Sequence, residues 1–202
     1  MFQSQNKIEG FIALDKPSGP TSHAIIQDLK KRFGLPKIGH AGTLDPIATG
    51  LLLLCIGEAT KFSRFLIEAD KAYIAELILG ESTDTYDAEG QITEKKSIRG
   101  ITYDTVERAL SELRGTILQK PPMFSAKKIK GRRLYKLARQ GKEIEREKLP
   151  VNIYKNRLLE LEGSRVSLEI ECSKGTYIRS IAHDLGKSLG CGAHLGLSLI
   201  HI

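Results

Sequence analysis

The sequence predicts an α+β fold built on a mixed, mostly antiparallel central sheet that is flanked by helices. Short apolar strands and amphipathic helices are intermixed along the 202 residues, and they lack the regular βαβ repeat of a doubly wound sheet. A hairpin pattern near residues 151–172 indicates antiparallel neighbours. The chain has the length of one ordinary domain, or of a larger domain that has been cut short.

The first part of the chain begins with a strand and a capped helix. Residues 10–17 have the pattern of a short strand, which ends at the turn residues around Pro17. Thr21 or Ser22 can cap a helix that runs to about Phe33, because a hydroxyl oxygen accepts a hydrogen bond from the free N–H groups of a first turn. The next expected elements are a buried strand over 51–56, a short helix over 59–67 with Phe62, Phe65 and Leu66 facing inward, and a half-buried strand over 71–79.

The rest of the chain predicts further helices and the hairpin. An acidic loop runs from Glu81 to Gly90, and Gly141 ends a helical stretch that starts at Arg132. Thr176 is the expected cap of the last helix. The remaining expected elements are a helix over about 104–113, the hairpin strands 151–161 and 165–172, and the last helix over 177–189.

The composition argues against membrane-spanning, secreted and zinc-stabilised proteins. No apolar run approaches the length of a membrane span, and residues 1–10 lack the apolar stretch of a secretory signal. The three cysteines are far apart and form no Cys-x-x-Cys pair, which argues against a disulfide framework or a structural zinc site. These features favour the reducing cytoplasm, with the cysteines acting as small buried hydrophobes.

The positive charge of the chain is concentrated in residues 120–150, which we call the arm. The formal net charge is +7, and the arm alone contains eleven Lys or Arg residues against three Glu. The remainder of the chain is therefore nearly neutral. A concentrated basic patch is typical of a protein that binds a polyanion, so nucleic acid is the expected partner. The alternative is an ordinary solvated face.

Residues 39–50, which we call the carboxylate loop, are the most informative segment. Glycines punctuate this loop, it carries His40 and Asp45, and an apolar strand follows it at once. Pro46 favours extended or turn backbone at Asp45. Rigid loops at strand ends commonly display reactive side chains. Alone, the pattern would also fit an ordinary surface turn.

Further segments agree with the carboxylate loop in their order and spacing. They are Leu14-Asp15-Lys16-Pro17 with Thr21-Ser22, then Lys71-Ala72-Tyr73, then residues 83–90, and finally Lys174-Gly175-Thr176-Tyr177-Ile178-Arg179-Ser180. Together they resemble the tRNA pseudouridine synthases that modify uridine 55 of the T loop, of the bacterial stand-alone type. The resemblance covers roughly residues 8–195. It implies the pseudouridine synthase fold, with the arm as an inserted RNA-binding segment.

The resemblance also implies the chemistry. In this family the N-glycosidic bond of a flipped-out uridine breaks and a C1′–C5 bond forms, with no cofactor and no metal. Asp45 is then the catalytic carboxylate, with Tyr73 and Arg179 as the other catalytic residues and Asp87 as the partner of Arg179. Whether Asp45 attacks the sugar, attacks the base or abstracts a proton stays open. Each role needs an ionised carboxylate, and a nearby guanidinium counters the rise in pKa that burial causes.

The same resemblance indicates the residues that bind the substrate. His40 is expected to fill the space that the flipped base leaves and to stack on neighbouring bases. Tyr73 is expected to stack on the target base, with proton transfer at C5 as a further possible role, and Tyr177 to line the same pocket. Lys16 belongs to the motif that packs beneath the catalytic loop, so we interpret it as a support. The arm resembles a mobile segment that closes over tRNA, and its expected phosphate contacts are Lys127, Lys128, Lys130, Arg132 and Arg133.

The end of the chain departs from the family pattern. After Leu195 the family continues with a Leu-Arg-Arg segment and a small RNA-binding domain of the PUA type. This chain instead has the short apolar segment 196–202. We therefore expect residues 1–195 to form the catalytic domain, the segment 196–202 to be a non-native or truncated tail, and the PUA domain to be absent.

Other functions share part of these features. A guide-RNA-dependent, dyskerin-like synthase has the same core, but the compact N-terminus and the extended arm favour the stand-alone type. A non-catalytic tRNA-binding module would not require Asp45, Tyr73 and Arg179 together, and a glycoside hydrolase would require a second carboxylate. The expected partner is the T-arm stem-loop of tRNA, bound by a cytoplasmic monomer.

Overall fold

The computed structural model describes residues 8–129 and 131–201 and shows an α+β chain whose strands pair mostly antiparallel. This confirms the predicted fold class. The chain divides into two compact units. The first contains the residues up to Asp70 together with those from Leu199 onward, and the second is Lys71–Ser198. Within the described ranges, no helix combines the length and the apolar character needed to cross a membrane.

The first unit is built around one central strand. Strands β1 (Gly10–Lys16) and β2 (Ile38–His40) both pair antiparallel with β3 (Thr49–Ile56). The apolar run of β3 accounts for this central position, since alternate side chains of the strand are buried. The register places Lys16 opposite Gly50, so β1 ends where the carboxylate loop joins β3.

The helix of the first unit confirms its predicted cap. Helix α1 (Ser22–Phe33) begins after Thr21, whose Oγ1 accepts a hydrogen bond from the N–H of Ala24 at 3.0 Å. The basic residues of its last turn are favourably placed against the negative end of the helix dipole. They are Lys30, Lys31 and Arg32.

The segment that follows β3 differs from its prediction. It forms a 3-10 turn (Gly57–Phe62) and then the short helix α2 (Ser63–Ile67). The prediction that Phe62 and Phe65 face inward is wrong, because their side chains are 55% and 57% exposed. A helix of a little more than one turn presents few positions to the core, and here Leu66 packs against the buried cluster.

The second unit contains the larger part of the sheet. Its strands are β4 (Lys71–Leu79), β5 (Glu81–Thr83), β6 (Ile92–Lys95), β7 (Gly115–Gln119), β8 (Lys128–Ile129), β9 (Arg132–Arg133), β10 (Leu149–Glu162), β11 (Arg165–Cys172) and β12 (Ala193–His201), and its helices are α3 (Tyr103–Ser111), α4 (Leu134–Ala138) and α5 (Ile178–Ser188). Strands β12, β4, β11, β10 and β7 are neighbours in that order. The last residues of β12 belong to the first unit. Part of the predicted acidic loop is a strand, because β5 pairs with β6.

The core of the second unit follows the predicted alternation. Ala75, Leu77 and Leu79 of β4 are buried, and β11 places Leu168 and Val166 directly opposite the first two. Helix α5 packs against β4, and α3 packs against β10 and α5. The apolar faces of both helices thus cover this part of the sheet.

The N-cap of helix α5 lies one residue later than predicted, at Tyr177 instead of Thr176. Tyr177 makes no side-chain cap hydrogen bond. The prediction that Thr176 caps this helix is wrong, because its hydroxyl donates to the carbonyl of Ser173 at 2.8 Å. That hydrogen bond closes the turn between β11 and α5. It leaves Arg179 in the first turn of the helix.

A glycine sets how closely α5 approaches β12. A Cβ atom at Gly186 would lie 2.1 Å from the nitrogen of Ala193 and 2.3 Å from the carbonyl carbon of Gly192. The N–H of Gly192 also donates to the carbonyl of Gly186 at 2.9 Å. Main chain therefore packs directly on main chain, and no side chain fits between them.

A second glycine sets the contact between β3 and the end of β12. Gly50 has φ +96°, and a Cβ atom there would lie 2.6 Å from the carbonyl oxygen of Ile200. The strands run parallel at this point, with Leu199 opposite Thr49 and Ile200 opposite Gly50. The residue that ends the carboxylate loop is therefore covered by another main chain.

We expect Gly186→Ala to destabilise the protein, although alanine is normally the better helix residue by about 1 kcal/mol. The added methyl group would meet fixed backbone, and overpacking of this kind costs about 1–3 kcal/mol. Urea unfolding followed by circular dichroism measures the change. Lys187→Ala, at the exposed neighbouring position of α5, is the control. A Gly186→Ala protein at least as stable as the parent would contradict this account.

Candidate functional site

The carboxylate loop is supported from below by one buried amine. The side chain of Lys16 is fully buried, and its Nζ donates to the carbonyls of Pro17 at 2.9 Å, Pro46 at 3.0 Å and Ala48 at 2.7 Å. Two of these carbonyls follow Asp45 in the loop. A buried ammonium needs such acceptors in place of water. The lysine thereby fixes the main chain on the C-terminal side of Asp45.

A serine fixes the other side of the same carboxylate. The N–H of Leu44 donates to Oγ of Ser22 at 2.9 Å, and this hydroxyl lies 3.2 Å from the carbonyl of Leu44. Within the loop, the N–H of Ala48 donates to the carbonyl of Asp45 at 3.1 Å. Asp45 itself is half-buried. Its position is therefore determined by anchored residues on both sides.

His40 lies at the start of the loop and is half-buried. The N–H of Gly42 donates to its Nδ1 at 3.4 Å, so this nitrogen is the unprotonated one. Burial lowers the pKa of His40 below its ordinary value of 6.5. The ring is consequently uncharged at neutral pH.

The second unit contains a buried ion pair. Nη1 of Arg179 lies 3.2 Å from Oδ2 of Asp87, and the two side chains are only 5% and 3% exposed. Nη1 also donates to the carbonyl of Thr85 at 3.2 Å, and Nη2 donates to that of Phe124 at 2.8 Å. The guanidinium therefore joins α5 to two other segments, the loop over 83–90 and the start of the arm.

The carboxylate of Asp87 is held by its own loop. Oδ1 accepts hydrogen bonds from the hydroxyl of Thr85 at 2.6 Å and from the N–H of Glu89 at 3.1 Å. The preceding residue, Tyr86, has φ +66° and stacks on His183 of α5 with 4.0 Å between ring centroids. Both the stacking and the ion pair fasten this loop to α5.

The two tyrosines of the predicted site belong to different elements of the second unit. Tyr73 is half-buried in β4, opposite Ile170 of β11. Tyr177 is half-buried at the N-cap of α5. Both backbone groups of Tyr177 pair with the side chain of Gln119, a residue that sequence analysis did not select.

The arm has a small core of its own. Met123, Leu134 and Leu137 are buried together, and partly buried apolar side chains pack against them. Strands β8 and β9 pair in a short hairpin, and the predicted helical stretch 132–140 is reduced to α4. The buried Arg146 donates to the carbonyl of Pro121 at 3.2 Å and so connects the two ends of the arm.

The basic side chains of the arm surround an open depression of about 700 Å³. Lys128, Arg132 and Arg133 are exposed, as is Lys136, which sequence analysis did not name. Lys127 is half-buried, and the predicted contact Lys130 lies outside the described residues. The residues that line the depression are Lys128, Gly131, Arg132, Arg133, Lys136, Leu137 and Gln140.

The structure thus groups the predicted residues into three sets. Lys16 supports the loop that carries Asp45 and His40, Arg179 pairs with Asp87, and the basic residues lie in the arm. Of the two tyrosines, Tyr73 lies in β4 and Tyr177 is the N-cap of α5. Gln119 and the Phe124 carbonyl were missed, since a lone glutamine and a main-chain group leave no pattern in a sequence. Among residues 8–129 and 131–201, no group of His, Cys, Asp and Glu has the arrangement of a metal site.

Comparison with protein families gives one extended match. The family described as TruB family pseudouridylate synthase (N terminal domain) matches residues 30–178. Curated relatives named tRNA pseudouridine synthase B include those of Stutzerimonas stutzeri and Haemophilus influenzae, which are 52% and 50% identical to this chain over 188 residues. Each alignment covers 93% of this chain and 61% of the relative. The chain therefore spans about three fifths of the length of these relatives.

Two solved structures are similar to nearly the whole chain. A chain in the crystal structure of a Cbf5–Nop10–Gar1 complex is 32% identical with a TM-score of 0.74, covering 96% of this chain and 48% of that one. A chain in the structure of an H/ACA RNP bound to a substrate RNA containing 2′-deoxyuridine is 30% identical with a TM-score of 0.69, covering 96% and 47%. The architecture described above is shared with both.

We expect Asp87→Ala to reduce the free energy of unfolding by about 3–5 kcal/mol, because it leaves the buried Arg179 guanidinium without its carboxylate. Urea unfolding at neutral pH measures this loss. The matched control is Asp28→Ala, which breaks an Asp–Arg pair on α1 whose side chains are 53% and 69% exposed. Exposed pairs contribute little, so equal losses in the two variants would show that burial of the Arg179 pair is not what matters.

Proposed function

The chain belongs to the TruB family of pseudouridylate synthases, and we propose on this basis that it converts uridine to pseudouridine in tRNA. The predicted pseudouridine synthase fold is confirmed by the family match and by the solved structures. The observation that carries the proposal is the position of Asp45. It is a half-buried carboxylate on a loop whose main chain is anchored on both sides.

The proposed substrate position is uridine 55 in the T loop, and the reaction is an isomerisation. The C1′–N1 bond breaks, the uracil turns, and a C1′–C5 bond forms, while the hydrogen at C5 leaves as a proton and N1 gains one. Asp45 supplies the ionised carboxylate, either as a nucleophile toward the sugar or base or as a base toward a proton. We assign Tyr73 to contact the target base and Arg179 to provide the cationic group. Preorganised residues suit this reaction, since the detached base must stay in place.

A base within a folded loop must leave its stack to reach Asp45, which costs a few kcal/mol. We propose that His40 occupies the space that the base leaves. Its lowered pKa supports this role, because an uncharged ring stacks on bases without having to give up a charged solvation shell. Tyr177 is proposed to line the pocket of the flipped base.

The arm is proposed to contact the phosphates of the T-arm stem-loop. Its core supports this role, since it holds the hairpin and α4 in one piece and leaves the basic side chains exposed around the depression. We further propose that residues 1–195 form the catalytic domain and that the protein acts in the cytoplasm as a monomer, without a cofactor.

A guide-RNA-dependent synthase is the second candidate, and the similarity to a chain of an H/ACA RNP favours it. The curated tRNA pseudouridine synthase B relatives are, however, far more similar, at 52% and 50% identity. Turnover by the protein alone on unmodified tRNA distinguishes the two. A strict requirement for an added guide RNA would select the second candidate.

We expect the protein to release tritium from tRNA labelled at uracil C5, and Asp45→Asn to abolish this release while tRNA binding is retained. The C5 hydrogen must leave for the new bond to form, so the assay reports the reaction itself. Asp28→Asn, an equal change on the exposed face of α1, should turn over like the parent. Turnover by Asp45→Asn would refute the catalytic assignment. Binding without release by the parent would favour a non-catalytic tRNA-binding module.

We expect the triple change Lys128→Gln, Arg132→Gln and Lys136→Gln to weaken tRNA binding and to reduce its salt dependence. Each lost phosphate contact removes about 0.7–0.9 from the magnitude of the slope of log K against log salt, so three lost contacts should reduce it by about 2–3. Filter binding at several salt concentrations measures it. The triple change of Lys30, Lys31 and Arg32 to Gln removes the same charges from α1 and is the control. Equal slopes for the two triple variants would make the arm an ordinary solvated face.

A further inference from the structure

One side-chain amide in the second unit pairs with both backbone groups of a single residue. Gln119 ends β7, immediately before the arm, and is only 2% exposed. Its Nε2 donates to the carbonyl of Tyr177 at 3.1 Å, and its Oε1 accepts from the N–H of Tyr177 at 2.8 Å. The amide thus supplies one donor and one acceptor to the main chain of Tyr177, as a neighbouring strand would in a sheet.

Tyr177 is the residue where this pairing has most effect on α5. It is the N-cap, and its carbonyl also accepts the first two hydrogen bonds of the helix, from Ser180 at 3.0 Å and Ile181 at 3.2 Å. A helix start without a side-chain cap is poorly determined by local interactions. Here the amide of Gln119 determines it, two residues before Arg179.

Two more hydrogen bonds join the same segments. The hydroxyl of Ser180 donates to the carbonyl of Lys120 at 3.0 Å, and Nη2 of Arg179 donates to the carbonyl of Phe124 at 2.8 Å. Residues 119–124 are therefore attached to the start of α5 at three positions, namely Tyr177, Arg179 and Ser180.

We infer that Gln119 is a positioning residue for Arg179, and that it acts by fixing the main chain of Tyr177 at the start of α5. This inference rests on the proposed function, in which Arg179 takes part in the reaction. Gln119 touches no reacting atom. Its effect passes through Tyr177, and it also ties the end of β7, just before the arm, to the helix that carries Arg179.

A carboxyl group in place of the amide tests this pairing by its protonation state. A protonated carboxyl group has one donor and one acceptor, like the amide, whereas a carboxylate only accepts. In Gln119→Glu the protonated carboxyl group should therefore keep both hydrogen bonds to Tyr177 at acidic pH. When it ionises, it can no longer donate to the Tyr177 carbonyl, so one of the two hydrogen bonds is lost. Burial raises the pKa of a carboxyl group, which brings this ionisation toward neutral pH. Lys120 and Arg179 lie close to the pair in sequence, and Lys148 precedes Leu149, the strand partner of Gln119. Positive charges near a carboxyl group favour its ionised form, so they oppose part of this rise.

The experiment is tritium release at saturating tRNA from about pH 5.5 to about pH 8.5, with each rate divided by that of the parent at the same pH. For Gln119→Glu we expect this ratio to fall roughly tenfold as the pH rises, as befits the loss of one buried hydrogen bond. Gln119→Met should be impaired to the same extent at every pH. Gln91→Glu, the same change at an exposed position, should keep a constant ratio near one. A ratio for Gln119→Glu that does not depend on pH would overturn the inference.

Two further readouts separate this result from simple unfolding and from failure of the proposed function. Near-ultraviolet circular dichroism at each pH gives the folded fraction, to which the rates are normalised. Hydrogen exchange of the Tyr177 amide, followed by NMR, needs no activity. We expect this amide to be protected in the parent and to exchange at least tenfold faster in Gln119→Met. Fast exchange in the parent would overturn the inference. A parent that protects this amide but releases no tritium would refute the proposed function instead.

Discussion

The arrangement of the second unit depends on a guanidinium that has been withdrawn from water. A charged group at that depth is tolerated only where its N–H groups meet acceptors. The acceptors of Arg179 include the carboxylate of Asp87 and the carbonyls of Thr85 and Phe124. These acceptors come from parts of the chain that are far apart in sequence. The hydrogen-bonding groups of the guanidinium are satisfied only when all of these acceptors are in place. Its burial therefore requires that the loop over 83–90, the start of the arm and α5 assemble together.

The first unit solves a similar problem with a different cation. Lys16 has a compact charge with three donors and no preferred plane, so it can be surrounded by carbonyls from a single turn and a single loop. Arg179 is planar, and its fork suits a carboxylate together with carbonyls at its edges. In each unit a buried cation thus organises main-chain oxygens around a functional segment. Lysine suits acceptors that surround a single point, and arginine suits acceptors that lie in one plane.

Local patterns predicted the elements of this fold better than they predicted side-chain directions. Thr21 was found from sequence because a cap depends only on the residues beside it. Phe65 was misplaced, since apolar character does not show which face of a one-turn helix is covered. The pairing of Asp87 with Arg179 was expected only through the family resemblance, because no spacing rule connects residues so far apart. Gln119 was missed for the same reason, as its partner is a main-chain group whose position depends on the finished fold.

The close approach at Gly50 has a consequence for how freely the two strands can change during evolution. Strand β12 meets this glycine through the backbone of Ile200 and pairs with β3 by main-chain hydrogen bonds. Because every residue except proline offers the same backbone groups, this contact does not itself select the side chain at position 200, where the buried Ile200 leaves a choice among apolar residues. Position 50 has no such latitude, since even a methyl group would collide with the facing carbonyl. The constraint on this contact is therefore one-sided, and mutational tolerance should differ sharply between two residues that lie directly opposite each other.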